Sequence, residues 1–360
     1  MRAAVLGLGL IGGSIGLAAR GRLGCEVVGW GPNRPTVERA LELGAVDCAA
    51  GSVEEACEGA EVVFCAAPVS ALPALVAAAL EASGPDTVVT DAGSTKRELV
   101  AALGEDERFI GGHPLAGAET AGVANARADL FEGARWYLTP TERSSGILYD
   151  RLQRTLAGLG ARPQAIDAEA HDRLMATVSH LPHVLANVLA AQAAAELTHD
   201  SERMPEVGPS FRDATRVAGS NPSIWGDIFT SNRDSVVGAI DDAVGRLREA
   251  RELIASGEPG AVAAWHAAAG ADRRRLSEAE LAGGALRELR VVVANRPGTV
   301  AELALALGDA GVNIEDMALH PATDMQSGAI SLWVAGEEQA ERAAALVRDL
   351  GHSATVLAEA

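Results

Sequence analysis

The sequence predicts an α/β protein in which a doubly wound parallel sheet is followed by an all-α domain and a small βαββαβ domain. Three observations predict this order. Short apolar runs alternate with helical stretches as far as Ile166, strand signals nearly vanish between Glu169 and Leu276, and they return after Leu289. Because 360 residues are enough for several cores, we expect domains at residues 1–166, 167–276 and 286–360.

The first domain contains six apolar runs of strand length. Helical stretches lie between several of them, for example Pro35–Leu43 and Ala71–Ala82. This alternation is typical of a parallel sheet with helices on both faces. The predicted strands are Ala3–Leu6, Glu26–Trp30, Val62–Ala66, Val88–Thr90, Phe109–Gly111 and Trp136–Thr139.

The middle domain is predicted to be helical. In His171–Leu197 and Pro222–Ala255, apolar residues recur at three- and four-residue spacings. Helices this long and apolar need a cover, so we expect a homodimer in which the partner subunit packs on part of them. Ser277–Ala285, with its paired glycines, is predicted to be a linker.

The last stretch returns to alternating strands and helices. Their order, βαββαβ, is that of a ferredoxin-like module. The predicted elements are Leu289–Ala294, Thr299–Ala310, Val312–His320, Ala329–Val334, Glu338–Leu350 and Ala354–Leu357.

Composition excludes several classes of partner. A formal net charge of −19 argues against nucleic acid and against an anionic membrane surface, because both require a basic face. Apolar runs long enough for a membrane span are not found, and Met1-Arg2 leads directly into a strand without room for a signal peptide. Cys25, Cys48, Cys57 and Cys65 form no CxxC pair, which indicates a reduced cytoplasmic protein with small buried thiols and no metal site.

A glycine motif opens the chain. Gly7-Leu8-Gly9-Leu10-Ile11-Gly12 matches GxGxxG, directly after the first strand and at the start of a helix. Gly7 permits the turn, Gly9 lets the backbone approach a pyrophosphate, and Gly12 allows close packing of the helix, whose N-terminus faces the phosphates. The motif therefore predicts a Rossmann-like dinucleotide site, to which Ala67 and Pro68 also contribute. A glycine turn without a nucleotide is the alternative.

The end of the second strand bears on the choice of cofactor. An NAD site usually has Asp or Glu here to bind the ribose hydroxyls, but near Gly31 there is none, and Arg34 follows instead. Arg34 could bind a 2′-phosphate or could be a solvated loop cation. The prediction is NAD or NADP, with a preference for NADP or mixed use.

Four further motifs carry a family resemblance. They are DAGSTK at Asp91–Lys96, GGHPLAGAE at Gly111–Glu119, SHLPH at Ser179–His183 and FRDATRVAGSNPSIW at Phe211–Trp225. Together, in this order over roughly residues 1–275, they resemble the prephenate/arogenate dehydrogenase family of tyrosine biosynthesis. The C-terminal module resembles an ACT domain, an amino-acid-sensing unit. The resemblance implies oxidative decarboxylation of prephenate or arogenate with hydride transfer to NAD(P).

His113 is the predicted base. It follows a strand, at the sheet edge where nicotinamide is expected, and a neutral imidazole has a suitable pKa. The resemblance implies that Ser94 contacts both the substrate hydroxyl and His113. The alternative for His113 is a turn cap before Pro114.

Arg216 is the candidate for the ring carboxylate, since a guanidinium can hold a carboxylate with two hydrogen bonds. The alternative is a surface ion pair with Asp213. Ser179 and His183 are four residues apart, on one helix face, and the resemblance implies that they contact the substrate side chain. His180, next to Ser179, is expected to be structural.

Two positions bear on the side-chain half of the pocket. Glu119 could order the loop of His113, contact the substrate or be solvated. By resemblance, Arg212 reaches the partner subunit's site. The chain departs from the family pattern at Gly208-Pro209-Ser210 and at Ala118, which leaves prephenate or arogenate open, with prephenate preferred.

The turns of the C-terminal module are predicted to bind an amino acid, with tyrosine as the natural effector. The residues are Asn295, Pro297, Gly298, Asn313 and Ile314. A plain turn before a helix is the alternative. A non-catalytic nucleotide and amino-acid sensor is a second hypothesis, disfavoured by the presence of Ser94, His113, His183 and Arg216 together. A β-hydroxyacid dehydrogenase would use a lysine in the helical domain, and Glu169–Leu276 contains none.

Overall fold

The computed structural model describes residues 1–117, 120–197, 207–280, 286–294, 299–312, 314, 316–321 and 327–357. The chain divides into two compact units, residues 1–246 and 247–360. The first unit contains the predicted dinucleotide domain together with most of the helical segment that follows it.

A five-stranded parallel sheet forms the centre of the first unit, in the order β3-β2-β1-β4-β5. Strand order reverses at β1, as in doubly wound folds. The strands are β1 (Arg2–Leu6), β2 (Glu26–Trp30), β3 (Cys48–Ala49), β4 (Val62–Cys65) and β5 (Val88–Asp91). The helices are α1 (Leu10–Leu23), α2 (Arg34–Glu42), α3 (Val53–Cys57), α4 (Leu72–Ala82) and α5 (Arg97–Leu103).

Each face of this sheet is buried under its own core. Val5 and Phe64 pack on one side with Ile15 of α1, whereas Leu6 and Val63 pack on the other with residues of α3 and α4. Alternate residues of a strand point to opposite faces, so strands that are apolar throughout require cover on both sides. The predicted architecture of helices on both faces is therefore confirmed.

The first unit also contains a three-stranded sheet. Its strands are β6 (Gly111–Pro114), β7 (Arg135–Thr139) and β8 (Arg162–Ala165), and α6 (Gly146–Gly158) lies between β7 and β8. β6 and β7 are antiparallel, whereas β7 and β8 are parallel. The expectation of a wholly parallel arrangement is wrong here. A parallel connection needs a crossover, usually a helix, and the described part of the β6–β7 link contains only a short 3-10 turn. Phe109, predicted to start the strand, forms an isolated parallel bridge to Val89.

The predicted first long helix is one continuous rod with a π-helical turn inside it. It runs through α7 (Ala168–Met175), the π turn Ala176–His180 and α8 (Leu181–Leu197). After α9 (Pro209–Thr215) and a 3-10 turn at Arg216–Gly219, the predicted second helix is interrupted. α10 (Pro222–Ser231) and α11 (Arg233–Ala255) are separated at Asn232, whose buried side chain bonds to α7.

The second unit contains α12 (Pro259–Glu280) and a four-stranded sheet. Its order, β10-β11-β9-β12 with all neighbours antiparallel, is that of a ferredoxin-like module. The remaining elements are β9 (Leu286–Ala294), α13 (Thr299–Asp309), β10 (Asp316–Pro321), β11 (Ser327–Ala335), α14 (Glu337–Asp349) and β12 (Ser353–Val356). The predicted linker begins too early, because α12 extends to Glu280; residues 281–285 lie outside the described residues.

Two expectations from composition need adjustment. Cys25, Cys57 and Cys65 are buried, but Cys48 is exposed in the short edge strand β3. One stretch, Ala168–Ala195, is long and apolar enough to cross a membrane by length and composition alone, which is weak evidence for a span. It also carries the buried polar residues His171 and Asp172.

Candidate active site

The glycine motif forms a turn that only glycine can make. Gly7 has a φ of +98°, and a Cβ there would lie 2.3 Å from the Ala66 carbonyl oxygen. A Cβ on Gly12 would lie 1.8 Å from the Gly7 carbonyl oxygen. By contrast, a Cβ on Gly9 would meet nothing within 4 Å. The first and third glycines are therefore required by packing, whereas Gly9 opens onto free space where a phosphate group could approach.

A cavity of about 550 Å³ lies above this turn, at the carboxyl ends of β1, β2 and β4. It is lined by Gly7 and Gly9 and by the predicted cofactor residues Ala67 and Pro68. Its remaining lining residues are Leu8, Trp30, Gly31, Pro32, Asn33, Thr36, Val37, Val53, Ala66, Ala71, Ala74, Leu75 and Ala78. None of these lining residues is acidic, which fits the missing ribose carboxylate. An adenosine group fits such an apolar, open slot.

Four predicted cofactor residues, Leu10, Ile11, Gly12 and Arg34, lie outside this lining. Leu10 and Ile11 pack partly buried against the core. The Arg34 side chain is 90% exposed and pairs with Glu38 across one helical turn, 3.1 Å apart. An arginine held only by an exposed pair can turn toward a 2′-phosphate at little cost.

The loop after β5 carries Ser94 and is fixed at its base by Asp91. One Asp91 oxygen accepts from Gly112 N at 3.0 Å, and the other accepts from Gly93 N at 2.8 Å and from the Lys96 ammonium. Both charged side chains are fully buried. Through these bonds Asp91 holds two segments at the end of β5: the loop with the half-buried Ser94, and β6, the strand that carries His113.

His113 is the first member of a chain of three polar side chains. Its Nδ1 lies 2.9 Å from Nε2 of His171, and Nδ1 of His171 lies 2.8 Å from Oδ1 of Asp172. His171 and Asp172 are buried, whereas His113 is partly exposed. The structure thus places the predicted base at the open end of a buried histidine–carboxylate pair.

Asp172 is held from its other side by backbone amides. Lys96 N donates to Oδ1 at 2.8 Å, and Arg97 N donates to Oδ2 at 2.9 Å. Burial alone would raise the pKa of Asp172, but the hydrogen bonds from His171, Arg97 and Lys96 outweigh it and lower the pKa. Asp172 is therefore an ionised acceptor inside the protein.

The surroundings keep His113 neutral. Burial, and then the nearby His171, Lys96 and His180, hold the pKa of His113 well below its usual range. Because a base must be unprotonated to act, this shift favours the active form at neutral pH.

His180 and His183 surround an indole. The His183 ring stacks on Trp225, with centroids 3.4 Å apart and planes at 26°, whereas His180 meets the same indole edge-on. His180 is buried, its Nδ1 lies 3.2 Å from Asn232 Nδ2, and burial lowers its pKa to about 4. Burial, and then the charge of Arg216, lowers the pKa of His183.

The structure brings Arg216 and His183 into one neighbourhood. The 3-10 turn that begins at Arg216 packs against α8, which carries His183. Arg212 lies one turn earlier, exposed on α9. Ser179 is half-buried in the π-helical turn, so the α-helical spacing that predicted a shared face with His183 does not apply there.

Several predicted residues lie outside the described residues: Glu119, Asn295, Pro297, Gly298 and Asn313. Ile314 is described, and packs partly buried against the core of the second unit.

The sequence interpretation missed His171, Asp172, Asn232 and the role of Lys96. Two signals could have found them. Lys96 is the only lysine in the 360 residues. A lysine that served only as a surface charge would not be expected to occur just once. His171 and Asp172 stand beside Met175 on the buried side of α7, and polar residues on a buried helix face need partners.

Comparison with known proteins agrees with this geometry. Residues 15–164 match the family model described as "Prephenate dehydrogenase, nucleotide-binding domain", and residues 167–267 match "Prephenate dehydrogenase, dimerization domain". Prephenate dehydrogenase from Bacillus subtilis (strain 168) is 30% identical over 349 residues, which cover 94% of this chain and 93% of the relative. The chain belongs to the prephenate dehydrogenase family.

Solved structures of the family share the fold. Prephenate dehydrogenase from A. aeolicus, crystallised with hydroxyphenyl propionate and NAD+, is 29% identical, with a TM-score of 0.71 over 77% of this chain and 98% of that chain. Synechocystis arogenate dehydrogenase is 28% identical, with a TM-score of 0.68 over 77% of this chain and all of that one.

Membership of the prephenate dehydrogenase family makes this chain an NAD(P)-dependent oxidoreductase. It also explains the apolar surface of the helical segment, since Val178, Leu185 and Val188 are exposed within the part that matches the dimerization domain. A homodimer formed through these helices accounts for both observations.

Proposed function

We propose that the protein catalyses the oxidative decarboxylation of prephenate to 4-hydroxyphenylpyruvate, with NAD or NADP as hydride acceptor. The observation that carries the proposal is the placement of His113. Its strand, β6, is tied to the end of β5 by the hydrogen bond from Gly112 N to Asp91, and its ring is backed by a buried histidine and an ionised carboxylate. The similar proteins include both prephenate and arogenate dehydrogenases.

The chemistry requires a base that takes up a proton and returns it. His113 takes the proton of the 4-hydroxyl as hydride leaves C4. NAD or NADP, held at the glycine turn, would supply the acceptor for that hydride. Loss of CO2 then leaves its electron pair in the ring, the ring oxygen becomes a phenolate, and His113 returns the proton to it. The step consumes no net proton, so a single imidazole with a depressed pKa can serve throughout.

Arg216 and His183 are proposed to hold the substrate. A guanidinium next to a neutral imidazole offers donors to a carboxylate, and the pKa of His183 is lowered partly by the Arg216 charge. Ser94 is proposed to contact the 4-hydroxyl. Ser179 and Glu119 are proposed to contact the side chain of the substrate, and Arg212 is proposed to act in the partner's site.

The direct test follows nicotinamide reduction by absorbance with four pairs: prephenate or arogenate, each with NAD or NADP. We expect reduction with prephenate, and release of CO2 in equal amount. Reduction with arogenate alone would replace the substrate proposal by arogenate dehydrogenase. If none of the four pairs reacts, the catalytic proposal fails and the nucleotide and amino-acid sensor takes its place.

The same assay tests Arg216. Arg216→Ala should raise the KM for the substrate by at least about 10-fold, because a charged hydrogen bond contributes roughly 1.5–3 kcal/mol, and should leave the KM for the cofactor unchanged. An exposed arginine on α6 provides the matched control, Arg154→Ala. An unaltered substrate KM would remove Arg216 from the carboxylate site.

The ferredoxin-like module is proposed to act as an ACT-like regulatory domain that binds tyrosine. Its strand order supports this proposal. Tyrosine should inhibit the full chain, whereas a chain ending at Glu280, the last residue of α12, should remain active and insensitive. Equal inhibition of both proteins would place the tyrosine effect outside the C-terminal module.

A further inference from the structure

We propose that His171 and Asp172 are positioning residues which hold His113 in the tautomer with hydrogen on Nδ1, so that Nε2 is its proton acceptor. This inference rests on the proposed role of His113 as the base. It assigns work to two buried residues that otherwise lack a function in the site. It also fixes which nitrogen of His113 does the chemistry.

The direction of the chain is set at its buried end. Backbone N–H groups can only donate, and those of Lys96 and Arg97 point at the two different oxygens of Asp172. A carboxylate that accepts on both oxygens is ionised, so it also accepts from Nδ1 of His171 at 2.8 Å. His171 therefore carries its hydrogen on Nδ1.

The remaining link follows from the valence of imidazole. A neutral His171 with hydrogen on Nδ1 presents a bare lone pair at Nε2. The Nδ1 of His113, 2.9 Å away, must then carry the hydrogen and donate it. His113 is left with a bare Nε2, which is what a general base requires. The two backbone amides, acting through Asp172 and His171, thus determine which nitrogen of His113 carries the hydrogen.

The same chain of hydrogen bonds stabilises the positive charge that His113 carries between taking up the proton and returning it. When Nε2 of His113 takes up a proton, its Nδ1–H bond to His171 strengthens, and the buried Asp172 carboxylate balances the imidazolium. The Lys96 ammonium and His180 lower the pKa of His113 and so disfavour its protonated form. The Asp172 carboxylate offsets this effect. Lys96 is itself neutralised by Asp91, which leaves Asp172 as the anion linked directly to the histidine pair.

The surroundings hold the chain rigidly enough for this task. Tyr137 lies opposite His113 in the β6–β7 pairing and meets the His171 ring edge-on, with centroids 5.7 Å apart. Asn232 donates to the Asp172 carbonyl at 2.7 Å, which fixes the backbone that carries the carboxylate. All three members of the chain are therefore restrained from outside it.

Asp172→Asn tests the anchor. An amide that presents its NH2 to His171 keeps its oxygen on Arg97 N but loses the hydrogen bond from Lys96 N. In this orientation both imidazoles reverse and hydrogen lies on Nε2 of His113. We expect kcat to fall roughly 10²–10⁴-fold, as happens when a wrong tautomer is imposed on a catalytic histidine in a serine protease, with cofactor affinity within about 2-fold. The matched control is Asp150→Asn, on the exposed face of α6, which should retain full activity.

Substitutions at His171 keep the test decisive if Asp172→Asn does not fold. Gln retains an acceptor for the Nδ1–H of His113, whereas Met has a similar volume and no acceptor of comparable strength. His171→Gln should exceed His171→Met in kcat by about 10-fold or more. Equal kcat values for the two variants would show that His171 only fills space, and would overturn the proposal.

The tautomer itself can be read without any substrate. In protein labelled with ¹⁵N-histidine, long-range nitrogen–proton correlations distinguish hydrogen on Nδ1 from hydrogen on Nε2, and comparison with His113→Asn identifies the signal among the eight histidines. We expect the Nδ1–H form in the unmodified protein and loss of it in Asp172→Asn. The Nε2–H form in the unmodified protein would overturn the inference. Because this result needs no turnover, it remains interpretable even if neither prephenate nor arogenate reacts.

Discussion

His113→Asn should lower kcat by roughly 10²–10⁴-fold, the usual contribution of a general base. Asparagine cannot accept a proton at neutral pH, although it preserves the polarity and approximate size of the side chain. Affinity for NAD or NADP should not change, because His113 is not part of the cavity lining at the glycine turn. Steady-state kinetics and cofactor titration measure the two quantities separately.

In the unmodified protein, the loss of kcat/KM on the acid side should also occur at a lower pH than for an ordinary histidine. Burial and the neighbouring His171, Lys96 and His180 lower the pKa of His113, so its active neutral form persists below the pH at which a free imidazole protonates, about 6.5. The kcat/KM should therefore hold through neutral pH and fall only as pH drops through this lowered pKa. His113→Asn should abolish this pH dependence together with the activity.

A histidine that is not part of the site supplies the control. His266 is exposed on α12 in the second unit, and His266→Asn should leave kcat, KM and the pH profile as they are. Comparable activity in His113→Asn would transfer the role of base to another group and would contradict the proposed mechanism.

Lys96→Met should lower the free energy of unfolding by about 3–5 kcal/mol, the range for removing one partner of a buried ion pair. Lys96 and Asp91 are both 0% exposed, so the substitution leaves a carboxylate inside the protein without its cation. The amides of Gly93 and Gly112 still donate to Asp91, which favours the lower end of the range. Urea unfolding followed by circular dichroism measures the change.

Arg154→Met is the comparison. Its partner Asp150 lies one helical turn away and both side chains are largely exposed, so we expect a change below about 0.5 kcal/mol. Because Lys96 is the only lysine, an amine-reactive reagent should label the native protein only at the N-terminal amine. Fast labelling of Lys96, or a decrease in the free energy of unfolding below about 1 kcal/mol in Lys96→Met, would show that Lys96 and Asp91 do not form a stabilising buried ion pair.

The order of elements could be predicted well because it depends on local pattern. The glycine motif, the apolar runs of β1, β2 and β4 and the βαββαβ order at the C-terminus all follow from spacing and composition. Prediction failed where distant contacts override local preference. The break between α10 and α11 depends on Asn232, whose amide bonds to α7, and the antiparallel β6–β7 pairing depends on how the chain returns to the sheet.

The sequence by itself determined the family motifs, the nucleotide-binding turn and the identity of His113, Ser94 and Arg216 as candidate site residues. Only the tertiary structure decided how His113 is supported. His171 and Asp172 lie 58 and 59 positions farther along the chain, and nothing in local spacing connects them to His113. Their role arises because Lys96 N and Arg97 N, on a third segment, donate to the same carboxylate. Hydrogen-bond direction is a property of groups in contact, and folding alone brings these three segments together.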